Sequence, residues 1–162
     1  MQPISERDIR AAFINASLRE RNALTLPEGF DELDWARLDF LGWRDPKLPV
    51  VAYVVAELDD GPAAVLLRES DGRFRSRPQC SWCEDVLLPN DVALFSARRA
   101  GHAGRNGNTI ATMVCDRFEC SKNVRMRPPT AFAGFDPDET RRRRIEVLRE
   151  RVRSFVEEVR AG

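Results

Sequence analysis

Apolar positions along the 162-residue chain follow two different periods, helical at both ends and strand-like between. Near the start, Ile9, Ala12, Phe13 and Ala16 recur at helical spacing. Ser5 supplies an N-cap, Asp8 stands three residues on, and Ile4 with Ile9 would staple the cap. The spacing predicts a helix that ends at "LPEGFDE", where Pro27 and Gly29 both interrupt helical backbone. From residue 36 the pattern shifts to strands. "VVAYVVAEL" (50–58) and "AAVLLRES" (63–70) are apolar and rich in β-branched residues, and "DDGP" between them is turn chemistry. A strand near Leu38 to Trp43 precedes this hairpin, and "DVALFSARR" (91–99) and "NTIATMVC" (108–115) supply two more. The connection "AGHAGRNG", with three glycines, reads as an exposed loop. Finally Asp136, Pro137 and Glu139 form a helix start, and Ile145, Leu148, Val152, Phe155, Val156 and Val159 fall on one stripe of a long helix. The expected class is α+β, an antiparallel sheet with helices at both ends of the chain. Residues 1–35 form an N-terminal helical segment, and residues 36–162 form the main domain.

Charge changes the picture in the middle of the chain. Residues 1–72 carry 8 basic and 14 acidic side chains, residues 73–127 carry 10 and 5, and residues 128–162 carry 8 and 7. The whole is neutral, so the middle segment is a basic patch in an otherwise acidic or neutral protein. No apolar run approaches the roughly 20 residues of a membrane span, and the charged start "MQPISERDIR" does not resemble a secretory signal. A cytoplasmic protein without membrane contact is expected, in a compartment where stable disulfides are rare.

That expectation bears on the four cysteines, which come in two close pairs: Cys80 and Cys83 in "CSWC", Cys115 and Cys120 in "CDRFEC". Disulfides, a redox centre, a catalytic metal and a structural metal are the alternatives. A thioredoxin-like C-x-x-C opens a helix within a βαβ unit, whereas this one lies between strand-like segments. Catalytic zinc keeps an open position and favours histidine or carboxylate ligands, whereas four thiolates close a tetrahedral shell. A knuckle, a β-hairpin and then ligands at a helix start ("CSKNVRM") is the order of a treble-clef zinc finger. Structural Zn2+ on Cys80, Cys83, Cys115 and Cys120 is the expected cofactor. With a single histidine, His102, no triad or acid–base pair can be assembled, so neither an enzyme nor a small-molecule substrate is expected.

A binding surface is the remaining place for function. Trp82 lies inside the knuckle, either packed as core or projecting outward as an anchor. Arg73, Arg75 and Arg77 alternate into the knuckle, Arg98, Arg99 and Arg105 bracket the glycine-containing connection, and Lys122, Arg125 and Arg127 follow the second pair. Together they would make one cationic face beside the metal, with solvated scatter as the alternative. The quartet Arg141 to Arg144 reads as the solvated face of the last helix, with Arg142 facing Glu146.

The runs "RPQCSWC", "DVALFSARRAG" and "GRNGNTIATMVCDRFECSKNVR", closed by the arginine-rich helix, resemble the elongation factor G-binding protein family. The likeness is to its C-terminal treble-clef zinc-finger domain, over about residues 36–160. It implies zinc on the same four cysteines and a protein, related to the fusidic-acid resistance proteins, that binds elongation factor G and helps it leave the ribosome. Trp82, Arg98, Arg99 and Arg105 are the nearest equivalents of that family's partner-binding residues. The alternative is a zinc-finger protein that touches RNA or the ribosome through the same arginines.

Overall fold

The computed structural model describes residues 1–72, 76, 78–85, 90–126 and 136–162. Five antiparallel strands form one sheet in the order in which they occur in the chain: β1 (Leu41–Arg44), β2 (Val51–Leu58), β3 (Gly61–Glu69), β4 (Val92–Arg98) and β5 (Thr109–Cys115). The strands at 50–70, 91–99 and 108–115 are thus where the apolar pattern puts them. The first strand begins three residues later than Leu38. A 3-10 turn at Trp35–Arg37 precedes it, and the Asp39 amide is drawn to the Ser121 hydroxyl.

The unbroken apolar run in β2 has a simple cause, because both faces of the sheet are covered. Ala52, Val54, Ala56 and Leu58 pack with α5 (Pro137–Ala161) and the cysteine region. Val51, Tyr53 and Val55 pack with Ile9, Phe13 and Leu24 of the N-terminal segment. Residues 1–35 therefore form a third layer of the structure.

That layer differs from the single predicted helix. Two short helices form, α1 (Glu6–Ala12) and α2 (Leu18–Ala23), with the cap on Ser5 as expected. Between them the chain runs beside β3: Phe13 bridges Ala64, and the Ile14 amide donates to the Ala64 carbonyl at 3.0 Å. Asn15 completes the break. Its amide group donates to the carbonyls of Leu66 and Arg98, and its oxygen accepts from the Leu66 amide at 2.8 Å. Ser17 and Glu20 then form a capping box that restarts the helix.

The supposed loop after β4 contains a helical turn, α3 (Gly101–Arg105). Gly104 is the enabling residue, since a Cβ there would lie 1.7 Å from the Arg99 carbonyl oxygen. His102 is exposed on this turn, against the side chain of Asn106.

Helix α5 starts as predicted, with Asp136 accepting from the amides of Asp138 and Glu139 and Pro137 in the first turn. Leu148, Val152, Phe155, Val156 and Val159 form its buried stripe. Arg142 pairs with Glu139 one turn back and not with Glu146. Arg144 is no part of a solvated face: it reaches Asp85 and donates to the carbonyls of Asn123 and Met126.

Candidate metal centre

The four cysteines are all buried, and their sulfurs lie within 4.8 Å of one another. Cys80 and Cys83 sit on the turn that follows residue 78, Cys115 ends β5, and Cys120 opens α4 (Cys120–Arg125). Two local devices aim the sulfurs at a common point. In the first turn the Cys83 amide points at the Cys80 sulfur at 3.5 Å, and Glu84 takes a left-handed φ of 54°. In the second, Phe118 takes φ 59°, its amide donates to the Cys115 carbonyl, and its ring lies over Gly42 of β1. A Cβ on Gly42 would stand 2.7 Å from that ring, so glycine there is what admits the longer C-x4-C loop.

The donor set fits zinc. A tetrahedron with metal–sulfur bonds of about 2.3 Å has sulfur–sulfur edges of about 3.8 Å. Cys80–Cys120 and Cys83–Cys115 each stand at 3.6 Å. Packed this closely, the four sulfurs bond one another and oppose ionising together. Bonds from Cys115, then from Cys120 and Cys83, push Cys80 far down. Bonds to Cys115, Cys80 and Cys83 push Cys120 well up. A dication ends that competition by favouring thiolate at every corner. Asn123 adds support from one turn into α4, its amide directed at the sulfurs of Cys115 (3.4 Å) and Cys83 (3.7 Å).

Around the sulfurs the structure builds two further shells. One is aromatic. Trp82, only 2% exposed, meets Phe40 edge-on at 5.2 Å and also contacts Phe155 and Phe118. Of the two readings of Trp82, core is the correct one: the knuckle turns its ring inward under α5, so it is not available as a surface anchor. The other shell is ionic. The Asp39 carboxylate is fully buried and receives Arg125 of α4 and Arg149 of α5, while the backbone of Asp39 bonds Ser121. Arg125 is therefore committed to the interior and leaves the predicted cationic face. Arg44 likewise joins β1 to Asp116, beside Cys115, and lies over the Phe95 ring at 4.8 Å.

Of the remaining basic residues, Arg98, Arg99 and Arg105 do converge. They line a 280 Å³ hollow with Asn15, Ser17 and Glu20. Arg98 pairs with Glu20 and Arg99 with Glu158, at 2.7 and 2.8 Å. Arg105 is exposed and has no ion pair among the described residues. Arg73, Arg75, Arg77 and Arg127 lie outside the described residues, and Lys122 is exposed on α4. Sequence reasoning missed Asp39, Asn123 and the Gly42–Phe118 contact. Only Asn123 carried a signal, three residues after Cys120 and so on the same side of a helix.

A knuckle, a strand hairpin and a ligand-bearing helix around four thiolates define a treble-clef zinc finger, here mounted on a five-stranded sheet. A family comparison agrees: the model described as the FBP C-terminal treble-clef zinc-finger matches residues 8–159, and the chain belongs to that family. No curated protein and no solved structure matches the chain. Among the described residues, no helix is long and apolar enough to cross a membrane.

Proposed function

We propose that this protein is a non-enzymatic adaptor that binds elongation factor G in the cytoplasm and helps it leave the ribosome, as the fusidic-acid resistance proteins do. The observation that carries the reading is the family match over residues 8–159. The site chemistry supports a scaffold role. Four buried thiolates leave zinc no open position for water or substrate, so the ion contributes shape and not reactivity.

With Trp82 buried, the contact surface centres on Arg98, Arg99 and Arg105 at the β4–β5 tip. Glu20 and Glu158 hold two of these arginines in place, which leaves Arg105 as the first contact for an acidic partner surface. Burial of Trp82 also weighs against the RNA reading, because it withdraws a stacking platform that single-stranded bases would use.

The test is a kinetic binding assay of zinc-loaded protein against elongation factor G at two salt concentrations. Arg105→Glu should lower the association rate, more at low salt than at high. Absence of binding by the wild-type protein at micromolar concentration would end the proposal.

A further inference from the structure

The two edges of the sheet are not alike. At β1 the outer side is short, with only Gly42 and Arg44 turning their backbone groups away from β2. At β5 the outer side is longer and, among the described residues, open toward Thr109 and Ala111. Hydrogen bonding to β4 alternates along an antiparallel pair. The bonds Arg99 N to Asn108 O at one end and Asp116 N to Asp91 O at the other fix which residues face inward. Ile110, Thr112 and Val114 therefore bond β4, while Thr109, Ala111 and Met113 turn their backbone groups outward. The Met113 carbonyl accepts from the Ser81 amide at 2.8 Å. The knuckle thus occupies the Met113 end of this edge with one bond, and among the described residues no backbone bond reaches Thr109 or Ala111.

Natural sheets guard such edges with charge, proline or a bulge. The stretch "TIATM" has none of these. Beside it runs a groove of about 680 Å³ between β5 and α5, with Ile110, Val147 and Phe155 as apolar floor. On the helix wall stand Glu150, Ser154, Glu158 and an Arg151 already held by Glu84 and the Ser81 carbonyl. Glu158 is matched by Arg99, whereas Glu150 has no ion pair among the described residues. We infer that β5 accepts an extended segment of a partner protein as an added strand, with apolar side chains over Ile110 and Phe155 and a basic side chain opposite Glu150. Main-chain bonds to Thr109 and Ala111 would supply affinity, and the groove would select the side chains. The inference stands apart from the elongation factor reading, and its test uses no elongation factor.

That test is an amide NMR titration of the zinc-loaded full chain with the acetylated, amidated peptide Val-Thr-Lys-Thr-Val, which places valines and lysine on one face. Saturable shifts at the amides of Thr109 and Ala111 are expected, and none with the same peptide N-methylated at alternate residues. Ala111→Pro removes only an outward amide, a change that edge strands tolerate, and should weaken binding at least tenfold while zinc is retained. Glu150→Lys should weaken it severalfold. No saturable shift at millimolar peptide overturns the inference, as do shifts that survive N-methylation. Thr109 shifts that grow with protein concentration alone, together with a sedimenting dimer, would give the edge to a second copy and also overturn it.

Discussion

The sheet is covered on its two faces by unlike means. On the finger side, order rests on a metal centre, a buried carboxylate with two arginines, and a cluster of aromatic rings. On the N-terminal side it rests on apolar and aromatic side chains and on the Asn15 side chain bonded to the Leu66 backbone. It rests also on Asp45, which accepts from the Tyr53 hydroxyl and from the amides of Thr25, Lys47 and Leu48, all without a metal. The first arrangement is strong but conditional, because each polar member needs all the others. The second is weaker per contact and nearly independent of the metal. The two faces should therefore fail separately.

Metal loss is the largest way to separate them. A four-thiolate structural site contributes on the order of 10 kcal/mol in small finger domains. Cys83→Ser should therefore unfold the finger at a temperature where the β2–β3 hairpin and α1 still resist amide exchange. Simultaneous loss of protection on both faces would refute the comparison. Trp82→Ala comes next, at about 3–5 kcal/mol, since it removes the centre of the aromatic cluster. Denaturant unfolding measures the cost, and near-wild-type stability would mean that the ring does not sit in the core.

Asp39→Ala leaves two arginines without their shared acceptor, and breaking a buried pair typically costs about 3–5 kcal/mol. Arg125 and Arg149 retain some access to solvent, which places the expected value at the lower end. The same experiment should show zinc held less tightly, because α4 carries both Arg125 and Cys120. Asn15→Ala tests the other face. It should cost about 1–3 kcal/mol through the Leu66 groups it leaves unpaired, with zinc affinity measured by chelator competition unchanged. Smallest is the pair Arg142→Gln and Arg143→Gln on exposed α5, within about 0.5 kcal/mol of wild type.

Much of this fold was legible in the residues alone. Strands with long apolar runs, the capped stripe of α5 and the two cysteine pairs are local patterns, and each stands where its pattern put it. The N-terminal helix is where local reading failed. Phe13 and Asn15 look compatible with a helix until β3 is beside them, and the restart at Ser17 went unread. Orientation was the harder problem. Nothing in "CSWC" says whether Trp82 faces α5 or solvent, because the deciding partners, Phe40 and Phe155, lie far away in sequence. Nor does the charge of Arg98, Arg99 or Arg125 reveal that each has a carboxylate partner supplied by another layer.

Asp39 also has a consequence for the order in which the chain can close during synthesis. Its partner Arg149 follows it by 110 residues, and the carboxylate cannot be buried without loss until both arginines have arrived. β2 and β3 can pair on the translating ribosome, and zinc can gather the four thiols once residue 120 has emerged, but the Asp39 ion pairs must wait for residue 149. Until then Trp82 lacks the cover that Phe155 of α5 supplies, and zinc alone holds the four thiols. A nascent chain stalled before that point without zinc would carry reactive cysteines and uncovered aromatic surface, the form most prone to oxidation and to capture by chaperones.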